Sequence, residues 1–254
     1  FILPGIGCGP AVHWLKSRCP QQPAWLAAAA AAAWLLFAGG VAAFDYFVTW
    51  GQSPDVRGAY QVNTVRMLAY LDGIDPAEPV VLSTIYPGPA HDPSLGLVLA
   101  GDAGNWRWVD ARQALVAPGG QNSTMLIPAS TPPHTLFARW LQPRETVSLR
   151  PDDLDASFTD FALDASQLNA WVRETAASSA LSAGVANFNN ALTLHHAEWL
   201  NPVAPGETAE LLLVWHITNP ENVGPVVPPA FTTDVVMFTQ LLDASGVPFA
   251  QRDA

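Results

Sequence analysis

The sequence predicts a membrane-anchored chain of mixed class: a transmembrane helix, a small α/β domain, and then an incomplete antiparallel β-sandwich. Three observations predict it. A charge-free, alanine-rich run lies near the start, short apolar runs alternate with helical patterns in the middle, and strand patterns without intervening helices fill the end.

The anchor comes first. Of the 254 residues half are hydrophobic and only 13% are charged, against about 25% in an ordinary soluble domain. The deficit is concentrated between Cys19 and Phe44, which carry no charge. A helix crossing about 30 Å of hydrocarbon needs roughly 20 apolar residues, and residues 24–44 supply them. Lys16 and Arg18 precede this helix, while Asp45 and Asp55 follow it. The excess of Lys and Arg marks the cytoplasmic flank, so residues 45–254 are expected on the extracytoplasmic side of a plasma membrane. Trp25 at one end, and Tyr46, Phe47 and Trp50 at the other, suit the headgroup level. Residues 1–15 read as the end of an earlier transmembrane helix and 16–23 as a cytoplasmic turn, which makes the chain an expected fragment of a longer protein.

The α/β domain is expected over residues 45–150. Val62, Val65, Leu68 and Leu71 recur at helical spacing within an amphipathic helix over 56–71. Four short apolar segments, 79–84, 107–112, 114–118 and 124–129, predict strands, and Pro132 and Pro133 open a short helix over 132–141. A mixture of this kind predicts a layered α/β unit. Residues 151–185 read as a connecting region with possible elements at 157–163 and 167–174. From 186 onward, strands separated by Pro- and Gly-rich turns predict the β-sandwich. Three or four strands are too few for the usual complement of about seven, so the sandwich of 186–254 is expected to be incomplete.

The net charge of −11 argues against nucleic acid, whose binders cluster Lys and Arg. Cys8 and Cys19 lie before the membrane helix, leaving the outer part without a disulfide framework. Gly5, Gly7 and Gly9 imitate part of a dinucleotide loop but lack its βαβ setting. His195 and His196 are neighbours in a strand and point to opposite faces, which disfavours a shared metal. His91, Asp92, Asp102 and His134 are of the types that build metal or acid–base sites, yet no fixed spacing joins them. Asn122-Ser-Thr is a glycosylation sequon. Asp152, Asp153 and Asp155 form an acidic turn without calcium-loop spacing. Trp199 and Trp215 are candidates for sugar stacking, with burial in the core the expected role.

Several segments together bring a family into view: FILP at 1–4, VVLSTIYPGP at 80–89, RWVDARQALVAPGG at 107–120, NFNNALTLHHAEWLNPVAPGETAELLLVWHI at 187–217, and VVMFTQLLDASGVPFAQRDA at 235–254. They resemble the C-terminal part of bacterial family 39-type glycosyltransferases, the polytopic GT-C enzymes related to protein mannosyltransferases. The chain departs from that pattern at His195–Ala197, where the family often has a glycine-tyrosine pair, and at Val109 and Ala111, where it often has RWFDG. The resemblance implies transfer of a sugar from a polyprenyl-phosphate donor to an extracytoplasmic glycan or protein acceptor. It places the catalytic acids in the first outer loop, upstream of every segment here. No catalytic, cofactor-binding or metal-binding residue is therefore assigned in this chain, and no cofactor is implied. The lipid bilayer is the expected partner. The alternative reading is a non-catalytic, membrane-anchored module that binds carbohydrate or protein.

Overall fold

The computed structural model describes residues 13–14, 17, 24–88, 91–101, 106–178, 186–188, 190–201, 207–219, 238–242 and 244–253. The chain divides into two compact units: Phe1–Tyr60 with Asp152–Leu154, and Gln61–Pro151 with Asp155–Ala254.

The first unit is dominated by helix α1 (Ala24–Phe44), which runs on as a π-helical turn over Asp45–Trp50. Alanine and leucine favour the helix, and α1 is apolar on every side. Across α1 and this turn, Ala28–Trp50 is a helix of 23 residues, long and apolar enough to cross a membrane and with none of its length buried by protein. Tyr46 stacks on Trp50 with ring centroids 4.9 Å apart. Helix α2 (Pro54–Ala59) follows. Its Arg57 holds Asp153 through paired contacts of 2.5 and 2.9 Å, a bidentate geometry suited to the planar guanidinium.

The expected helix over 56–71 is in fact two. Helix α3 (Val62–Tyr70) starts after Gln61, whose left-handed φ of 52° breaks the path from α2. A non-glycine residue tolerates that conformation only in special positions; here it lets α3 turn its apolar stripe, Met67 and Leu68, onto a sheet.

That sheet has five strands: β1 (Val80–Ser83), β2 (Trp106–Val109), β3 (Ser123–Pro128), β4 (Leu141–Val147) and β5 (Phe158–Leu163), in the order β2-β1-β3-β5-β4. β2, β1 and β3 are parallel, and β5 and β4 add antiparallel pairs. β1 and β3 are buried at every position, as near-continuous apolar runs in a sheet covered on both faces should be. Side-chain alternation sorts them. Leu82, Val80, Leu126 and Phe158 join Met67 and Leu68 of α3 on one face. Val81, Met125, Ile127 and Leu163 join Trp140, Leu136, Phe137, Leu168 and Trp171 on the other. The covering elements are α3 and α4 (Asp92–Ala100) on the first face, and α5 (Thr135–Ala138) and α6 (Ala165–Ser178) on the second. Gly96 lets α4 approach closely, since a Cβ there would sit 2.8 Å from Trp108 Cζ2.

Two expectations change here. Residues 114–118 form no strand: Ala114, Leu115, Val116 and Ala117 lie flat against the second core face, so their apolar character serves packing without pairing. Residues 151–185, read as a connecting region with possible elements at 157–163 and 167–174, supply β5 and α6 at those places as parts of the domain, and β5 is the strand that joins β3 to the edge strand β4. β4 itself carries Pro143 at a register shift and exposes Gln142–Thr146, a form that protects a sheet edge from further pairing.

Beyond residue 186 the structure contains a three-stranded antiparallel sheet of β6 (Asn187–Phe188), β7 (Leu192–Trp199) and β8 (Leu211–Ile217), and a hairpin of β9 (Phe238–Leu242) and β10 (Pro248–Asp253). β7, β8 and the β9–β10 hairpin fall within the segments expected to be strands, β6 is not among those segments, and the described residues form two separate antiparallel sheets.

Candidate functional site

Parallel strands leave their carboxyl ends at one edge, and ligands of open α/β sheets bind where the strand order reverses. Here the order β2-β1-β3 puts that point at the end of β1. Ser83 Oγ lies 2.8 Å from Thr131 Oγ1 and accepts the Ala111 backbone N–H at 3.0 Å. Thr84 Oγ1 donates to Asp92 Oδ2 and accepts from the Tyr86 N–H at 3.2 Å. Asp92 is only 3% exposed, and its Oδ1 has no hydrogen-bond partner among the described residues. Such an orphan is costly.

Next to this edge lies an open groove of about 740 Å³ lined by Arg112, Pro133, His134, Arg139, Leu200 and Glu210, among others. The loop after β2 presents Arg112. The loop after β3 presents His134, whose Nδ1 accepts the Leu136 N–H at 3.2 Å and caps α5. Arg139 sits over Trp140 and Trp171, 4.1 and 4.8 Å from their ring centres, a cation–π arrangement. His134 Nε2 is 3.8 Å from Glu210 Oε2. Asp110 is bonded to the Arg112 side chain at 2.7, 2.9 and 3.2 Å. Burial alone would push the Asp110 carboxyl up, but hydrogen bonds from Arg112 and Gln113 more than offset it and hold the group below its usual value. Among the described residues the groove thus brings Arg112, Arg139 and His134 together with one carboxylate, Glu210, which lies beside His134.

A second polar cluster occupies the opposite end of the sheet. Arg144 bonds Asp160 at 2.6 and 3.0 Å and also reaches Thr124, which donates to Glu78. Tyr70 donates to Asp160 at 3.1 Å and to Glu145 at 3.2 Å. Burial, then the neighbouring Asp160 and Glu145, push the Tyr70 phenol up to about 12.

The residues singled out by sequence do not converge. His91 packs its ring 5.4 Å from Tyr86, Asp92 faces Thr84, and His134 belongs to the groove; Asp102 lies outside the described residues, as do Gly5, Gly7, Gly9, Cys8 and Cys19. A bulge at Leu194/His196 interrupts the alternation of β7. His196 is buried against Glu198 at 3.1 Å with Nδ1 unpartnered, and His195 packs on the ring of His216 at 5.7 Å. Among the described residues no three His, Cys, Asp or Glu side chains are grouped to hold a metal. Asn122 accepts the Ala165 N–H at 3.0 Å and thereby tethers the start of α6, while Ser123 and Thr124 are buried in β3. In the acidic turn Asp155 accepts the Asn63 N–H at 3.1 Å. Trp199, expected in the core, is 42% exposed, whereas Trp215 packs against Phe188 at 5.7 Å. Of the groove residues only His134 stood out in the sequence. Arg112, Arg139 and Glu210 share no spacing and meet only through the fold.

The chain matches no family model, no curated protein and no solved structure.

Proposed function

We propose that this chain is the membrane-anchored, extracytoplasmic accessory region of a polytopic glycosyltransferase that moves a sugar from a polyprenyl-phosphate donor to an outer acceptor. The observation that carries the reading is the succession of elements: an exposed, apolar helix of membrane-spanning length, then a mixed five-stranded sheet, then antiparallel β-structure. This is the order of parts in the family that the sequence resembles. The charge step from Lys16 and Arg18 to Asp45 and Asp55 supports residues 45–254 on the outer side of a plasma membrane. We read β6–β8 and β9–β10 as parts of one β-sandwich, on the grounds of their antiparallel pairing and turn-rich loops. The groove of Arg112, His134 and Arg139 then serves contact with an acceptor or with another part of the enzyme, and the chemistry lies elsewhere.

The test is immunoprecipitation. An antiserum against the chain should recover, from detergent-solubilised membranes of its source, an activity that transfers sugar from a polyprenyl-phosphate donor. A precipitate that contains the chain and no transfer activity contradicts the proposal.

One observation favours the second reading, a carbohydrate-binding module. Trp199 presents its indole to solvent at the end of β7, the kind of flat apolar surface on which a sugar ring stacks. Glycan binding by the purified chain that disappears in Trp199→Ala would support it.

A further inference from the structure

Apart from Ser94, helix α4 exposes only apolar side chains. Its sequence DPSLGLVLA buries Asp92 and Gly96 against the sheet and turns Leu97, Val98 and Leu99 outward, at 57%, 79% and 51% exposure. The adjoining loop adds Ile85 and Tyr86, exposed at 43% and 52%. The only ionisable carboxylate of the helix, Asp92, is buried beside Thr84. A helix that is apolar all round belongs inside a protein or against lipid, and neighbouring exposed apolar side chains of this kind mark an interaction surface.

We propose that the face formed by Ile85, Tyr86, Leu97, Val98 and Leu99 docks onto the bilayer, inserting to the level of the headgroups. This rests on the reading of α1 as a membrane anchor. Three features select lipid as the occupant. The anchor keeps a hydrocarbon phase within reach of the tethered chain at all times. The face carries aliphatic side chains with one tyrosine, the composition of an interfacial segment whose ring favours the headgroup region. Among the described residues it also carries none of the acidic groups that give the chain its net charge of −11, so these side chains meet an anionic lipid surface without the repulsion that an acidic face would meet.

The experiment uses the full chain with Cys8→Ser and Cys19→Ser, carrying a single bimane-labelled cysteine and reconstituted in phosphatidylcholine vesicles. The label sites are Leu36→Cys in the anchor, Val98→Cys in the proposed face, and Ser130→Cys, an exposed loop position, as the aqueous control. Quenchers are lipids bearing a nitroxide near the headgroup, or at depth, and iodide on both sides of the membrane. The expected result is loss of most Val98→Cys emission to the shallow nitroxide with protection from iodide, quenching of Leu36→Cys by the deep nitroxide, and quenching of Ser130→Cys by iodide alone. If Leu36→Cys is quenched by lipid while Val98→Cys answers only to iodide, the docking proposal is overturned and the anchor stands. Protection of Val98→Cys from both quenchers assigns the face to a protein partner and also overturns it. A Leu36→Cys label that no lipid quenches removes the anchor, and the docking proposal falls with it.

Discussion

The five-stranded and three-stranded sheets are built from comparably apolar strands and are buried very differently. β3 (STMLIP) is buried at all six positions, whereas β8 (LLLVWHI) is half-buried over its first five and exposed at His216 and Ile217. The difference lies in what covers them. β3 is sandwiched between α3 and α4 on one face and α5 and α6 on the other, while among the described residues Ala191 and His196 alone are buried around β7 and β8. An apolar run therefore announces a strand but not its depth, and depth decides what a substitution costs.

The largest effect that follows is in the first sheet. Phe158 is fully buried against Tyr70, with ring centroids 5.7 Å apart. Truncation to Ala should cost about 3–5 kcal/mol, as for other buried aromatic residues. Leu213→Ala in β8 should cost about 1 kcal/mol, in proportion to the smaller apolar area it removes. Pulse proteolysis of the chain across a urea series would compare the two, and equal losses would abolish the distinction between the sheets.

Gly96 sharpens the comparison at the helix–sheet contact. Adding one methyl group places it against the Trp108 indole, so Gly96→Ala should destabilise the domain by about 1–3 kcal/mol through overpacking. Trp108→Leu in the same chain should recover much of the loss. If the single change is neutral, α4 is packed more loosely than the structure has it.

A smaller effect depends on pH. The Tyr70 phenol is raised from 10.0 to about 12 in the folded chain. Below pH 10 both folded and unfolded chains keep the proton and the stability contribution is complete. As pH rises from 10 towards 12 the unfolded chain releases a proton that the folded chain retains, so stability falls through this window. Tyr70→Phe should flatten that fall, and absorbance titration of the folded protein should lose its highest-pH tyrosinate step. An unchanged titration would remove Tyr70 from the network with Asp160. The smallest effect is expected at Trp199: an exposed side chain at the end of β7 should change stability by no more than about 0.5 kcal/mol on replacement by Ala, as read in the same proteolysis series.

What the sequence discloses follows the same division. The strand cores at Val80–Ser83 and Ser123–Pro128 are legible because continuous β-branched and aliphatic runs bounded by turn residues have few other uses. Helix α1 is legible because about 20 consecutive apolar residues without a charge favour one continuous helix long enough to span a membrane. Ala114–Ala117 has the same apolar character as a strand, yet it spreads over a core face next to β2, an outcome that only the neighbouring elements determine. The break at Gln61 leaves no signature, since glutamine rarely adopts a left-handed backbone. The element expected at 157–163 is β5, but its place inside the sheet is hidden, because its acidic residue, Asp160, reads as a surface position until Arg144 from β4 is seen to pair with it. The groove is less legible still: Arg112 follows β2, His134 and Arg139 flank α5, and Glu210 precedes β8, so only the fold assembles them.

The orientation of α1 carries the most weight, and impermeant thiol labelling tests it directly. In a chain with Cys8→Ser and Cys19→Ser expressed in intact bacterial cells, Ser245→Cys should react with a membrane-impermeant maleimide before lysis, and Ser17→Cys only after it. Reaction of Ser17→Cys in intact cells with Ser245→Cys protected would invert the topology, and equal reactivity of the two would show that α1 does not cross the membrane.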